Sequence, residues 1–251
     1  MAKIPGKFTW FEHASPDPLK VRAFYEGLFN WKIETSHASG QPYDHILCNG
    51  DAIGGLRKDD RMPACWTSYA SVANVDQSHA VAVKAGATSC MPPTDFGGVG
   101  RGSVIQDPQG AMLYLWDSPH GDRPDRETTP FGDWFWNELW TPDPAAALRF
   151  YKTVLGYSHD TMDMGMGTYY VFNSADGKAR GGMSKSTTPT APPMWLPYVH
   201  VPDCDACVAK ARSLGARNVL LPPMDIPGIG RFAILQDPVG AVIAVIRGAA
   251  R

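Results

Sequence analysis

The sequence predicts an α+β fold written twice, as two tandem halves each assembled from two β-α-β-β-β units. Three observations predict it. Motifs of the first half recur in the second in the same order. Within each half a strand, a helix and three strands are run through twice. A charged, proline-rich stretch, "DSPHGDRPDRETTP" (117–130), separates the halves.

The repeat is read residue by residue. Trp10, Glu12, Pro16, Asp17, Pro18, Phe24 and Tyr25 match Trp136, Glu138, Pro142, Asp143, Pro144, Phe150 and Tyr151 at one offset. Gly54-Gly55 matches Gly181-Gly182, Trp66 and Tyr69 match Trp195 and Tyr198, and Gly86-Ala87 matches Gly215-Ala216. "GVGRGSVIQDPQGA" (98–111) returns as "GIGRFAILQDPVGA" (228–241), with a few loop residues inserted on the way. The domain division that follows is 1–117, a linker over 118–130, and 131–251.

The elements follow in order. "KFTWFEHA" alternates apolar and polar residues and reads as a strand. Asp17 offers a side-chain cap and Pro18 a first helical position. Val21, Phe24, Tyr25 and Leu28 then mark one face of a helix. Asn30, like its counterpart Gly156, tolerates the left-handed conformation that ends a helix. Strands are predicted near 31–35, 43–48 and 51–56. The order restarts with a strand at 66–73, a helix at 76–86 closed by Gly86, and strands near 88–91, 101–106 and 111–116.

Bulk properties narrow the function classes. A formal charge of −2 gives no electrostatic reason to bind nucleic acid or an anionic membrane. No apolar run is long enough to span a bilayer, and "MAKIPGKFTW" lacks a secretory layout, so a cytoplasmic protein is expected. Of five cysteines only Cys204 and Cys207 lie close together, on a helix start without a second ligand pair, so they read as reduced thiols.

The order of elements, with "SPDP…FYEGLFNW", "GG", "VANVD…VKAGA" and "GRGSVIQDPQGAMLYLW", resembles the vicinal-oxygen-chelate superfamily. That superfamily includes glyoxalase I, extradiol dioxygenases and bleomycin- and fosfomycin-resistance proteins. The resemblance covers roughly 8–117 and 131–247. It implies, in each half, a curved, mostly antiparallel sheet around a cavity. It also implies a divalent-metal site built from His, Glu or Gln on the first, fifth and eighth strands. The matching positions here are Trp10, Thr67 and Tyr114 in the first half, and Trp136, Leu196 and Ala244 in the second. An indole nitrogen has no lone pair for a metal, and leucine and alanine offer no donor. No cofactor is therefore expected. A shifted site on Glu12 would need His13 or His45, and alternation turns His13 to the other face.

Strand alternation puts Glu12 on the face of Trp10 and Glu138 on the face of Trp136, towards the implied cavities. Glu12 and Glu138 are the candidate acid–base groups. Alternatively, they are held by a strand-end amide or by Arg101 and Arg231. The candidate substrate-binding residues are Trp10, Tyr69, Tyr114, Arg101, Trp136, Tyr198, His200 and Arg231, with Met112, Trp116 and Trp140 nearby. The arginines could grip an anion, or bond structurally to Asp107 and Asp237. The last strand, "AVIAVI", is aliphatic, which makes the second cavity the greasier one. Two functions follow: a glyoxalase-like lyase, isomerase or hydroxylase working on a small oxygenated or aromatic metabolite without a tightly held metal, or a non-catalytic protein that sequesters such a molecule. The duplication supplies a pseudo-twofold axis, so either a monomer or a homodimer is expected.

Overall fold

The computed structural model describes residues 1–37, 42–163, 167–186 and 191–249. The first unit of the first half comprises β1 (Phe8–Ser15), α1 (Pro18–Phe29), β2 (Lys32–Ser36), β3 (Tyr43–Cys48) and β4 (Asp51–Lys58). Its second comprises β5 (Cys65–Ser71), α2 (Val75–Lys84), β6 (Thr88–Asp95), β7 (Arg101–Gln106) and β8 (Met112–Asp117). The second half repeats the pattern with β9 (Trp134–Thr141), α3 (Pro144–Leu155), β10 (Ser158–Asp163), β11 (Thr168–Asn173) and β12 (Ala179–Lys185). It ends with β13 (Met194–His200), α4 (Cys204–Ser213), β14 (Asn218–Ile226), β15 (Gly230–Gln236) and β16 (Val242–Gly248).

The strands form two curved, open, eight-stranded sheets. Their orders are β2-β3-β4-β1-β5-β8-β7-β6 and β10-β11-β12-β9-β13-β16-β15-β14. Within each unit the first strand runs parallel to the last, and the remaining pairings are antiparallel. The helices begin where the sequence places them. Asp17 accepts from the Lys20 amide and Asp143 from the Ala146 amide, each with a proline at the first helical turn. Asn30 at φ 58° and Gly156 at φ 70° close them.

β6 runs past the predicted 88–91 through Pro92 and Pro93 to Asp95. Proline removes a ladder donor, but β6 is a sheet edge and its pairing with β7 shifts register there. An edge strand accommodates that defect. β14, the other sheet's edge, carries Pro222 and Pro223 in the same way.

By compactness the chain forms two interleaved units. One holds Met1–Trp10, Thr67–Asp125 and Trp136–Trp195, and the other Phe11–Trp66, Arg126–Phe135 and Leu196–Arg251. The core of the first gathers Leu113, Leu115, Phe150, Tyr151, Phe172 and Trp195. Its polar pin is Asp107, 4 % exposed. One carboxylate oxygen accepts the Gln109, Gly110 and Ala111 amides at 2.8–2.9 Å, and the other accepts the Tyr151 hydroxyl at 2.9 Å. Trp195 donates to that hydroxyl at 3.0 Å. In the second unit Asp237 likewise accepts the Val239, Gly240 and Ala241 amides and the Tyr25 hydroxyl, with Trp66 donating to Tyr25. This explains the recurrence of D-P-x-G and F-Y: each turn carboxylate is a buried acceptor that a helix tyrosine satisfies. Burial, with the adjacent carboxylate, pushes both tyrosines far above the usual phenol range, so each hydroxyl keeps its proton and donates.

Candidate functional site

The first compact unit carries an aromatic wall on β5, β7 and β8. Tyr69 and Tyr114 are register partners, and so are Val104 and Tyr114, and Gly102 and Trp116. Period-two alternation therefore sets Met112, Tyr114 and Trp116 side by side on one face. The Tyr69 and Tyr114 rings lie parallel, 2° apart in plane with centroids at 4.0 Å. Trp116 stands edge-on to Tyr69 at 5.7 Å, and Phe96 tilts against Trp116 at 5.7 Å. Half-buried Trp10, Met91 and Met112 pack around the buried pair. The β-branched and aliphatic residues at the matching second-half positions build no such wall. There Tyr198 meets Phe232 at 6.2 Å, and its register partner is Ala244.

The two glutamates sit in different polar settings. Glu12, on β1, is buried in the second unit. It accepts from the Tyr43 hydroxyl at 2.8 Å and pairs with Arg57 at 2.8 Å. Arg57 also bonds Asp59 at 2.7 Å, and Arg61 bonds Asp59 at 2.9 Å. The Arg61 hydrogen bonds outweigh the burial of Asp59 and, with those of Arg57, hold its carboxyl far below the usual range. Glu138, on β9 in the first unit, accepts from the Tyr169 hydroxyl at 3.0 Å, the Trp140 indole at 2.7 Å and the Ser184 hydroxyl at 2.9 Å. Trp136 donates to the Tyr169 oxygen at 2.8 Å. The recurrent Trp-x-Glu of the second half is thus closed through a third residue, Tyr169. Burial, and then Glu138, pushes the Tyr169 phenol well up, which fixes its hydroxyl as the donor.

Glycines make room for both tyrosines. A Cβ on Gly55 would strike the Tyr43 hydroxyl, and one on Gly182 that of Tyr169. The second glycine of each recurrent Gly-Gly pair therefore serves the Tyr–Glu contact, while the first lets the backbone of the neighbouring strand approach. Tyr43 and Tyr169 recur at the same offset as the tryptophans, a signal in the sequence that sequence reading missed. Arg57 and Ser184 differ between the halves and carried no such signal.

Several sequence expectations are corrected. The glutamates are held by Tyr43, Arg57, Tyr169, Trp140 and Ser184, and the arginines of β7 and β15 bond elsewhere. Arg101 makes two bonds to Asp76, at 2.8 and 2.7 Å, and Arg231 two to Asp205, at 2.6 and 3.0 Å. Both aspartates lie in the first turn of a helix, where a carboxylate also suits the dipole. The alternative bonds to Asp107 and Asp237 are not made, because those carboxylates are filled by turn amides and a tyrosine. His13 does turn to the opposite face, where its Nε2 lies 2.7 Å from Asp237. His200 donates from Nδ1 to the Thr129 carbonyl at 2.7 Å and lies between Phe131 and Phe135. Cys204 and Cys207 are free thiols in a buried helix face, pushed up to about 11 and about 12 by burial.

Residues 136–246 match the model of the glyoxalase-like domain. The mycobacterial protein CFP32 of Mycobacterium tuberculosis, whose glyoxylase name is provisional, is 34 % identical over 97 % of this chain and 95 % of its own. The anthracycline biosynthesis protein DauV of a Streptomyces species is 32 % identical over 96 % of this chain and 93 % of its own. Among solved structures, an Mn(II)-bound glyoxalase from Novosphingobium aromaticivorans shares the fold with a TM-score of 0.65 at 16 % identity, covering 98 % of this chain and 83 % of that one. The 2,3-dioxygenase LapB from Pseudomonas sp. KL28 does so with a TM-score of 0.65 at 13 % identity, covering 100 % and 94 %.

The metal-bound neighbour overturns the expectation that no cofactor is involved, since a divalent metal is what that glyoxalase holds. The side chains described here do not assign such an ion a place. Among the described residues no group of three or more His, Cys, Asp or Glu gathers to hold one. Trp10, Thr67 and Tyr114 offer at most hydroxyls, and Trp136, Leu196 and Ala244 offer no metal donor. No described helix is long and apolar enough to cross a membrane.

Proposed function

The chain belongs to the glyoxalase-like family, and from that premise we propose that it binds a small, flat, oxygenated aromatic molecule on the wall of Tyr69, Tyr114 and Trp116. The parallel stacking of Tyr69 and Tyr114, with Trp116 edge-on beside it, carries this reading. Buried aromatics usually meet edge-to-face or offset, so a parallel ring pair flanked by a half-buried indole suits a third planar ring. Relatives named for anthracycline biosynthesis support a fused ring as the ligand class to try first.

Catalysis of a glyoxalase type is the second reading, favoured by Glu12 and Glu138 recurring with a tyrosine each.

Calorimetric titration with 2,3-dihydroxynaphthalene tests the binding. A saturable heat is expected, weakened about tenfold by Trp116→Ala, the scale of one lost aromatic contact. Absence of saturable binding by this probe and by larger fused hydroxyarenes would sink the reading.

A further inference from the structure

The two halves place different pairs at one register position. On β7 and β8 the partners are Gly102 and Trp116, and on β15 and β16 they are Phe232 and Ile246. One half combines no side chain with the largest one, and the other combines two of middle size.

The contacts explain what this exchange does. A Cβ on Gly102 would lie 2.7 and 2.9 Å from two carbons of the Trp116 six-membered ring, and one on Gly100 would lie 2.5 Å from a third. The indole therefore lies flat on bare β7 backbone with its other face turned away from the strand. Trp116 stays half-buried, and Phe96, 38 % exposed, tilts against it with ring centroids at 5.7 Å. In the second half Phe232 and Ile246 are 9 % and 3 % exposed, so that position is filled from within. A β-branched side chain also offers no flat face.

We infer that the Gly102–Trp116 pair is the specificity-determining element of this chain, selecting planar aromatic ligands and confining them to the first half. This rests on the proposed binding of a flat aromatic molecule and adds which residues choose it. The glycine admits the indole to the strand face, and the indole presents the stacking surface. Gly100 also faces the indole, but it recurs as Gly230 in the second half with a similar positive φ and a close backbone oxygen, so it does not distinguish the halves. Tyr114, replaced by Ala244 in the second half, lies two residues along β8 in the parallel pair with Tyr69.

The test imports the second half's own solution into the first. The double variant Gly102→Phe/Trp116→Ile places a pair that this fold already packs at the equivalent position. Trp116→Ile alone removes the flat face without adding bulk at β7, and Trp116→Phe keeps a flat face. Each is titrated calorimetrically with 2,3-dihydroxynaphthalene, and melting followed by circular dichroism reports folding. The expected result is at least a tenfold loss of affinity for the double variant and for Trp116→Ile, and only a few-fold loss for Trp116→Phe. A folded double variant, or a folded Trp116→Ile, that binds as tightly as the wild type overturns the inference while leaving the binding proposal standing. Failure of the wild type to bind removes the binding proposal itself, and with it the basis for this one. Should the double variant not fold, Trp116→Ile decides alone.

Discussion

Arg57→Leu probes the polar setting of Glu12 most sharply. The guanidinium bonds Glu12 at 2.8 Å and Asp59 at 2.7 Å, and both acids are nearly excluded from solvent, at 3 % and 5 % exposure. Removing one partner from a buried ion pair costs about 3–5 kcal/mol, because the remaining charge keeps its desolvation penalty. Two features lower that figure here. The Arg57 side chain is 31 % exposed, so water already screens part of the pair, and Arg61 still reaches Asp59. A loss of about 2–3 kcal/mol is expected, a large share of the roughly 5–15 kcal/mol that holds a typical domain folded. The assay is urea unfolding followed by tryptophan fluorescence and circular dichroism. A cycle with Glu12→Leu isolates the pair, and the double variant should recover about 1–2 kcal/mol of the summed losses. Arg57→Leu within about 0.5 kcal/mol of wild type, with no coupling to Glu12→Leu, would refute the reasoning.

Other outcomes follow from the same geometry. Because its carboxyl is held far below the usual range, Asp59 contributes stability that is complete above the unfolded value near 4 and fades as pH falls below it; the stability gap between wild type and Asp59→Asn should therefore narrow on acidification. Tyr25→Phe and Tyr151→Phe each leave a buried carboxylate short of one donor and should cost about 1–3 kcal/mol in urea unfolding. Gly181→Ala drives a methyl to 2.7 Å from the Asn137 carbonyl oxygen, where backbone must yield, and should lower the melting temperature by several degrees, about 1–3 kcal/mol of strain. With Ellman's reagent, exposed Cys90 should react at once, while buried Cys48, Cys204 and Cys207, pushed up to about 11, 11 and 12, react only as the protein opens.

The repeat made the element order legible, because each β-α-β-β-β unit carries its own cap, helix stripe and turn. Asp17 with Pro18, and Asn30 against Gly156, are local signals that local sequence settles. Pro92 and Pro93 break a strand in isolation, and only the sheet order reveals β6 as an edge that accommodates them. The aromatic wall was legible as alternation along "MLYLW". The partners of the glutamates were less so. Tyr43 and Arg57 reach Glu12 across neighbouring strands, a register that spacing along the chain does not encode. The arginines after Gly100 and Gly230 were visible as a pair, yet Asp76 and Asp205 sit on helices whose approach is set by packing. The exchange of Gly102 and Trp116 for Phe232 and Ile246 lay in plain sight, but its meaning needed the register.

The most direct measurement is a crystal structure of the protein soaked with 2,3-dihydroxynaphthalene. The ligand ring is expected parallel to an aromatic face of the first half, within about 4 Å of the Trp116 indole, the contact distance of stacked carbons. A ring seated instead against Phe232 and Ile246, or away from Tyr69, Tyr114 and Trp116 altogether, would contradict the account.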